Sequence, residues 1–113
     1  MTEKDLFDNI KEYKQKAEDA SREGSYNVAA TLFFKAIAIL IDLFILQKEG
    51  NIPINHNERF RILEIKYPLL YKILDKDFPL YQQSYRTKLT KKYVDILKND
   101  LQEVIKFTGI KID

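Results

Sequence analysis

From Tyr26 to Leu46 the chain is apolar almost without interruption, and no other feature constrains its fold as much. Tyr26, Ala30, Phe33, Ile37, Leu40 and Phe44 recur at helical spacing. Ala29, Phe34, Ile41 and Ile45 widen that face until little of the helix is left polar. Thr31, Lys35, Ala38 and Asp42 follow one another at intervals of four, three and four, so they form a single narrow stripe. A helix of this kind must be covered on several sides. Two helices cannot do that, so the pattern predicts a bundle of four or more, or a dimer. The stripe also argues against a membrane span, because each charge at a bilayer centre costs about 2.5–3.5 kcal/mol.

The flanking segments supply the covering helices. Leu6, Ile10, Tyr13, Ala17 and Ala20 make one apolar face of a first helix from Glu3 to about Arg22. Thr2 and Asp5 are spaced as a capping box, and Gly24 supplies a stop. Ser25 is placed to cap the second helix, which runs to about Lys48. "EGNIPINHN" reads as a loop, with Asn55 or Asn57 capping a third helix from Glu58. Pro68 interrupts that pattern and predicts a kink or break near Lys66–Tyr67. "DKDFP" reads as further punctuation, with Asp77 capping a short helix that begins near Pro79. Asp75 and Asp77 are thereby assigned to capping and surface charge. Leu89, Tyr93, Leu97, Leu101 and Val104 predict a last helix to about Thr108, stopped by Gly109. Ser84, Thr87 and Thr90 favour caps, so the join from Leu80 to Leu89 is left open.

At 113 residues, the chain is predicted to form one all-α domain. Three Gly and three Pro are too few for the many turns of a sandwich or barrel. Without Cys there is no disulfide, thiolate nucleophile or Cys-type zinc site, which fits a reducing, cytoplasmic setting. One His cannot build a multi-His metal site, so neither metal nor cofactor is expected. "MTEKDLFDNIKEYK" is too charged for the apolar core of a signal peptide. No Gly-rich phosphate loop and no Gly-x-Ser-x-Gly is present. The net charge of +2 is uneven: residues 1–56 carry seven Lys/Arg against nine Asp/Glu, and residues 57–113 twelve against eight. The second half is the one that would face a polyanion.

Two families share part of this pattern. Tyr13, Ala17, Gly24, Tyr26, Ala29, Phe33 and Ala36 resemble one tetratricopeptide repeat. The likeness ends there, since the second helix is too long and no further repeat follows. A broader resemblance, from Tyr13 to Phe107, is to the HEPN domain (higher eukaryotes and prokaryotes nucleotide-binding). It lies in a polar first helix and a Gly-x-Tyr-x-x-Ala-Ala opening of a long apolar second helix. A Gly-, Pro- and His-containing loop, a leucine-rich helix and a last helix reached through an Arg and an aromatic follow: "EGSYNVAATLFFKAIAILIDLFILQKEGNIPINHNERF … SYRTKLTKKYVDILKNDLQEVIKF". The resemblance implies an up-and-down bundle of four to five helices, commonly a homodimer. Some members are metal-independent ribonucleases, often toxins, and others inactive companions of a small nucleotidyltransferase. The active members carry an Arg followed by His after four to six residues. Here Arg86 is followed after six residues by Tyr93, and no His lies near.

That substitution decides the expected chemistry. Metal-free RNA cleavage needs a proton acceptor and a proton donor near neutral pH, and His suits both. Tyr, with an ordinary pKa near 10, is a poor base. Arg86 is still able to grip a phosphate. The candidate nucleotide- or RNA-binding residues are therefore Arg86, Lys88, Lys91, Lys92, Tyr93 and His56, with no catalytic set. Lys88, Lys91 and Lys92 are spaced to share a helical face, and Tyr85 and Tyr93 could stack bases. The competing reading makes the lysines a solvated face and places Tyr93 in the core, in series with Leu97 and Leu101. It makes His56 a cap or turn residue. Lys35 and Asp42, about 10 Å apart along the helix axis, are expected to answer to different partners. The function expected is a non-catalytic binding module. Its candidate partners are a second copy, a nucleotidyltransferase, a nucleotide or RNA, with no membrane. A ribonuclease and a repeat-type protein-binding module are the alternatives.

Overall fold

The computed structural model describes residues 2–112. They form five helices: α1 (Glu3–Arg22), α2 (Tyr26–Glu49), α3 (His56–Lys66), α4 (Pro68–Gln83) and α5 (Lys91–Thr108). There is no strand among the described residues. The chain is an all-α bundle, as the apolar patterning requires.

The organising element is α2. Ala29, Ala30, Phe33, Phe34, Ala36, Ile37, Leu40, Ile41, Leu43 and Ile45 are all at most 2% exposed, and they point in every direction around its axis. By length and composition α2 could cross a membrane. In this fold its apolar surface is instead spent on its neighbours. Most of it packs against α1 and α5, and α4 covers a further side. The facing residues are Leu6, Ile10 and Ala17 of α1, Leu70 and Leu74 of α4, and Val94, Leu97, Leu101 and Val104 of α5. α3 packs mainly on α4.

Local chemistry sets the boundaries. The capping box is formed: the Thr2 hydroxyl accepts from the Asp5 N–H at 3.0 Å, and Asp5 accepts from the Thr2 N–H at 3.3 Å. Gly24 and Gly109 adopt left-handed conformations, with φ of 78° and 70°, where a side chain would be strained. Asn55 caps α3 by accepting from the Glu58 N–H at 2.9 Å. The chain breaks at Tyr67, and Pro68 opens α4, where its missing N–H costs nothing. Ser25 occupies the N-cap of α2 but makes no side-chain capping bond.

Three predicted features are corrected. No helix begins at Pro79: α4 continues through it to Gln83. Pro79 deprives the carbonyl of Asp75 of its helical donor, and Asp75 is exposed, so water can supply the bond. Asp77 is then neither a cap nor surface charge. It is 0% exposed and lies where α4 meets α5. Tyr93 is not in the core either, being 37% exposed. The buried stripe of α5 runs through Val94, Leu97, Leu101 and Val104, at intervals of three, four and three, which leaves Tyr93 at its edge.

Candidate functional site

The polar stripe of α2 turns out to be its seam with α3 and α4. Each polar member takes a different partner. The Thr31 hydroxyl donates to Ser84 Oγ at 2.9 Å. The Lys35 ammonium lies over the Tyr81 ring, 5.6 Å from its centroid. Asp42 receives both ends of the Arg59 fork, Nε at 2.6 Å and Nη2 at 2.8 Å. Asp42 and Arg59 are nearly buried, and planar bidentate pairing is what makes such a pair tolerable away from water.

Arg59 reaches further. Its Nη1 lies 2.6 Å from Nδ1 of His56, one helical turn earlier. A guanidinium has only donors, so Nδ1 must accept, and the ring proton is assigned to Nε2. Partial desolvation by the rings on one side of it, and then the neighbouring Arg59 charge, pushes the His56 imidazole below the usual histidine range, although the residue as a whole is exposed. His56 is therefore neutral at pH 7. Its ring packs near Phe78 at 5.3 Å and Phe34 at 6.4 Å. Phe34 stacks on Tyr81 at 4.6 Å, and Tyr85 meets Tyr81 edge-on at 5.4 Å.

These groups line a cavity of about 200 Å³, walled by Phe34, Tyr81 and Tyr13 and floored by Lys35, His56 and Arg59. The charges are unbalanced. Asp42 offsets Arg59, while Lys35 has no carboxylate within ion-pair distance among the described residues. The site carries a net charge of about +1 against aromatic walls. Such a surface suits an anion with a flat, apolar body. Among the described residues, no group of three His, Cys, Asp or Glu could hold a metal ion.

Of the candidate nucleotide- or RNA-binding residues named from sequence, only His56 lies in this cavity, beside Lys35 of the α2 stripe. Arg86 sits in the turn after α4 and Lys88 in the following loop, both exposed. Lys88 therefore does not share a helical face with Lys91 and Lys92, because α5 begins only at Lys91. Lys91 is paired with Asp95 at 2.9 Å, and Lys92 is exposed. The loop itself is tied down. Asn27 donates through Nδ2 to the carbonyls of Ser84, at 2.9 Å, and Thr87, at 2.6 Å, and accepts from the Leu89 N–H at 3.0 Å. Arg59, Tyr81, Phe34, Tyr13 and Asn27 were missed. A signal for Arg59 did exist: a carboxylate inside an apolar helix needs a cation, and Arg59 follows the His56 loop on the next helix.

No family model, curated protein or solved structure matches the chain. The fold and the cavity together define its class: an all-α five-helix bundle with a cationic, aromatic-walled cavity on the seam of its central helix.

Proposed function

We propose that the chain is a non-catalytic, HEPN-like binding module whose cavity takes a nucleotide, the base against Tyr81 and the phosphate toward Lys35. The observation that carries this reading is Lys35, a cation with no acidic partner among the described residues, set over an aromatic wall. The anion supplies the missing charge, and the rings supply stacking, worth about 1–3 kcal/mol per base. The exposed Arg86, Lys88 and Lys92 extend the basic surface toward a longer polyanion such as RNA. A homodimer and a nucleotidyltransferase partner, which the resemblance implies, belong to the same proposal.

The site favours binding over cleavage. Arg86 lies in a turn and Tyr93 on α5. His56 already accepts through Nδ1 and carries its proton on Nε2, so it has no open lone pair with which to act as a base. The packing of helices around α2 also leaves its long apolar face covered, which speaks against an open repeat-type groove.

Calorimetric titration with adenosine monophosphate tests the proposal. Losing a charge-assisted contact of about 1.5–3 kcal/mol predicts a tenfold or larger loss of affinity in Lys35→Ala. Lys98→Ala, on the exposed face of α5, serves as the control and binds like the parent chain. Equal affinity in Lys35→Ala and the parent chain refutes the assignment of this cavity.

A further inference from the structure

The contact between Arg59 and His56 has a direct bearing on how an anion could enter. Arg59 Nη1 borders the cavity, yet it already donates to His56 Nδ1 at 2.6 Å. The rest of the fork, Nε and Nη2, is held by Asp42. His56 therefore competes with any incoming anion for the Nη1 edge. The arrangement is neutral overall and satisfied without a ligand.

A proton added at Nδ1 reverses these roles. The imidazolium can no longer accept, so Nη1 and Nδ1 become two donors facing each other, which a turn of the ring can converge on one acceptor. Two cations so close repel each other unless an anionic oxygen sits between them and accepts from both. We propose that an anion bound in this cavity takes up one proton at His56 Nδ1, converting a self-capped pair into a two-donor clamp beside Lys35. The proton comes from hydronium or a buffer acid: an N–H bond forms at Nδ1 as the donor's bond to that proton breaks, and no other covalent bond changes.

The surroundings fit this role. The charges facing His56 are Arg59 on its own helix, and Lys35 and Asp42 on α2. α4 contributes the Phe78 and Tyr81 rings, and α1 contributes Tyr13 across the cavity. The two cations oppose protonation, and the one carboxylate is committed to the Arg59 fork. An added anion is what tips that balance. His56 is also exposed, so its ring has room to turn as the contact changes.

This inference rests on the cavity being a ligand site, and its test separates the two claims. The test ligand is a cyclic adenosine monophosphate, because a phosphodiester lacks the second ionisation near pH 6 that would confuse the proton count. Its affinity is measured by calorimetry between about pH 6.5 and 8.5, and at one pH in two buffers of different ionisation enthalpy. One linked proton predicts an affinity that rises as the pH falls, by up to tenfold per unit where the pH lies between the free and the bound imidazole's titration, and buffer-dependent heats that report net proton uptake. His56→Ala keeps Lys35 and Arg59, so it binds with an affinity that no longer varies with pH. Binding without slope or proton uptake overturns the coupling and leaves the site standing. A slope that persists in His56→Ala also overturns it, by placing the proton elsewhere. If the variant does not fold, the two-buffer measurement on the unmodified chain decides. Absence of binding at every pH takes down the cavity reading and the coupling together.

Discussion

Replacing Asp77 with Asn should stabilise the chain, and more so as the pH rises. Asp77 lies fully buried where α4 meets α5, facing Asp100. No N–H or O–H from elsewhere among the described residues reaches its oxygens, so a proton shared with Asp100 is the hydrogen bond open to it. Lys76 pairs with Asp100 at 2.9 Å. Burial first, and then Asp100, raises the Asp77 carboxyl from 3.8 to about 8. Between those values the folded chain holds a proton that the unfolded chain has released. Its stability therefore falls by about 1.4 kcal/mol for each unit rise in pH. The contribution is fully present below about pH 4 and has been lost by about pH 8. At pH 7 the accumulated cost is about 4 kcal/mol. Asn keeps the shape, donates to Asp100 through its amide and carries no titrating proton. Urea unfolding of both chains by circular dichroism, at pH 4, 5.5, 7 and 8.5, measures the difference directly, because titrations away from the Asp77–Asp100 pair cancel. Near-equal stability at pH 4 should open to several kcal/mol in favour of Asp77→Asn at pH 7. A difference that does not change with pH, or a variant less stable at pH 7, refutes the shared-proton argument.

Two further substitutions probe the seam. Asp42→Asn strands the Arg59 guanidinium in a nearly buried position, and removing one partner of such a pair costs about 3–5 kcal/mol. The same denaturation assay measures it, and a loss under 1 kcal/mol would mean that Arg59 finds water instead. Asn27→Ala deletes three hydrogen bonds to the 84–89 loop at a cost of about 1–3 kcal/mol. Its specific mark is faster amide exchange at Leu89 with α1 unchanged, while uniform acceleration would show a global effect only.

The fold was legible from α2 outward because its patterning has one solution. A helix apolar all round has to be wrapped, and the Gly stops and Asn55 cap are local features that a single chain displays. Pro79 misled for an equally local reason. Proline is a strong stop signal, but here the lost bond falls at the exposed residue Asp75 and is outweighed by Leu80 and Tyr81, which one continuous helix carries onto the core. The burial of Asp77 could not be read at all, since it depends on where α5 crosses α4. The candidate site was half visible. The stripe through Lys35 and Asp42 was plain, and so was the need for separate partners. Choosing Arg59 over the other cations required knowing that the first turn of α3 comes within reach of Asp42. The basic run from Arg86 to Lys92 drew attention as a sequence cluster. The loop pinned by Asn27 and the late start of α5 place its members on two different elements.

Chemical-shift mapping of the isotopically labelled chain, titrated with adenosine monophosphate, tests the cavity assignment most directly. The account predicts perturbations concentrated on Lys35, His56, Arg59 and Tyr81, with the far ends of α1 and α5 silent. Shifts confined to Arg86–Lys92, or no shifts at millimolar ligand, would contradict it.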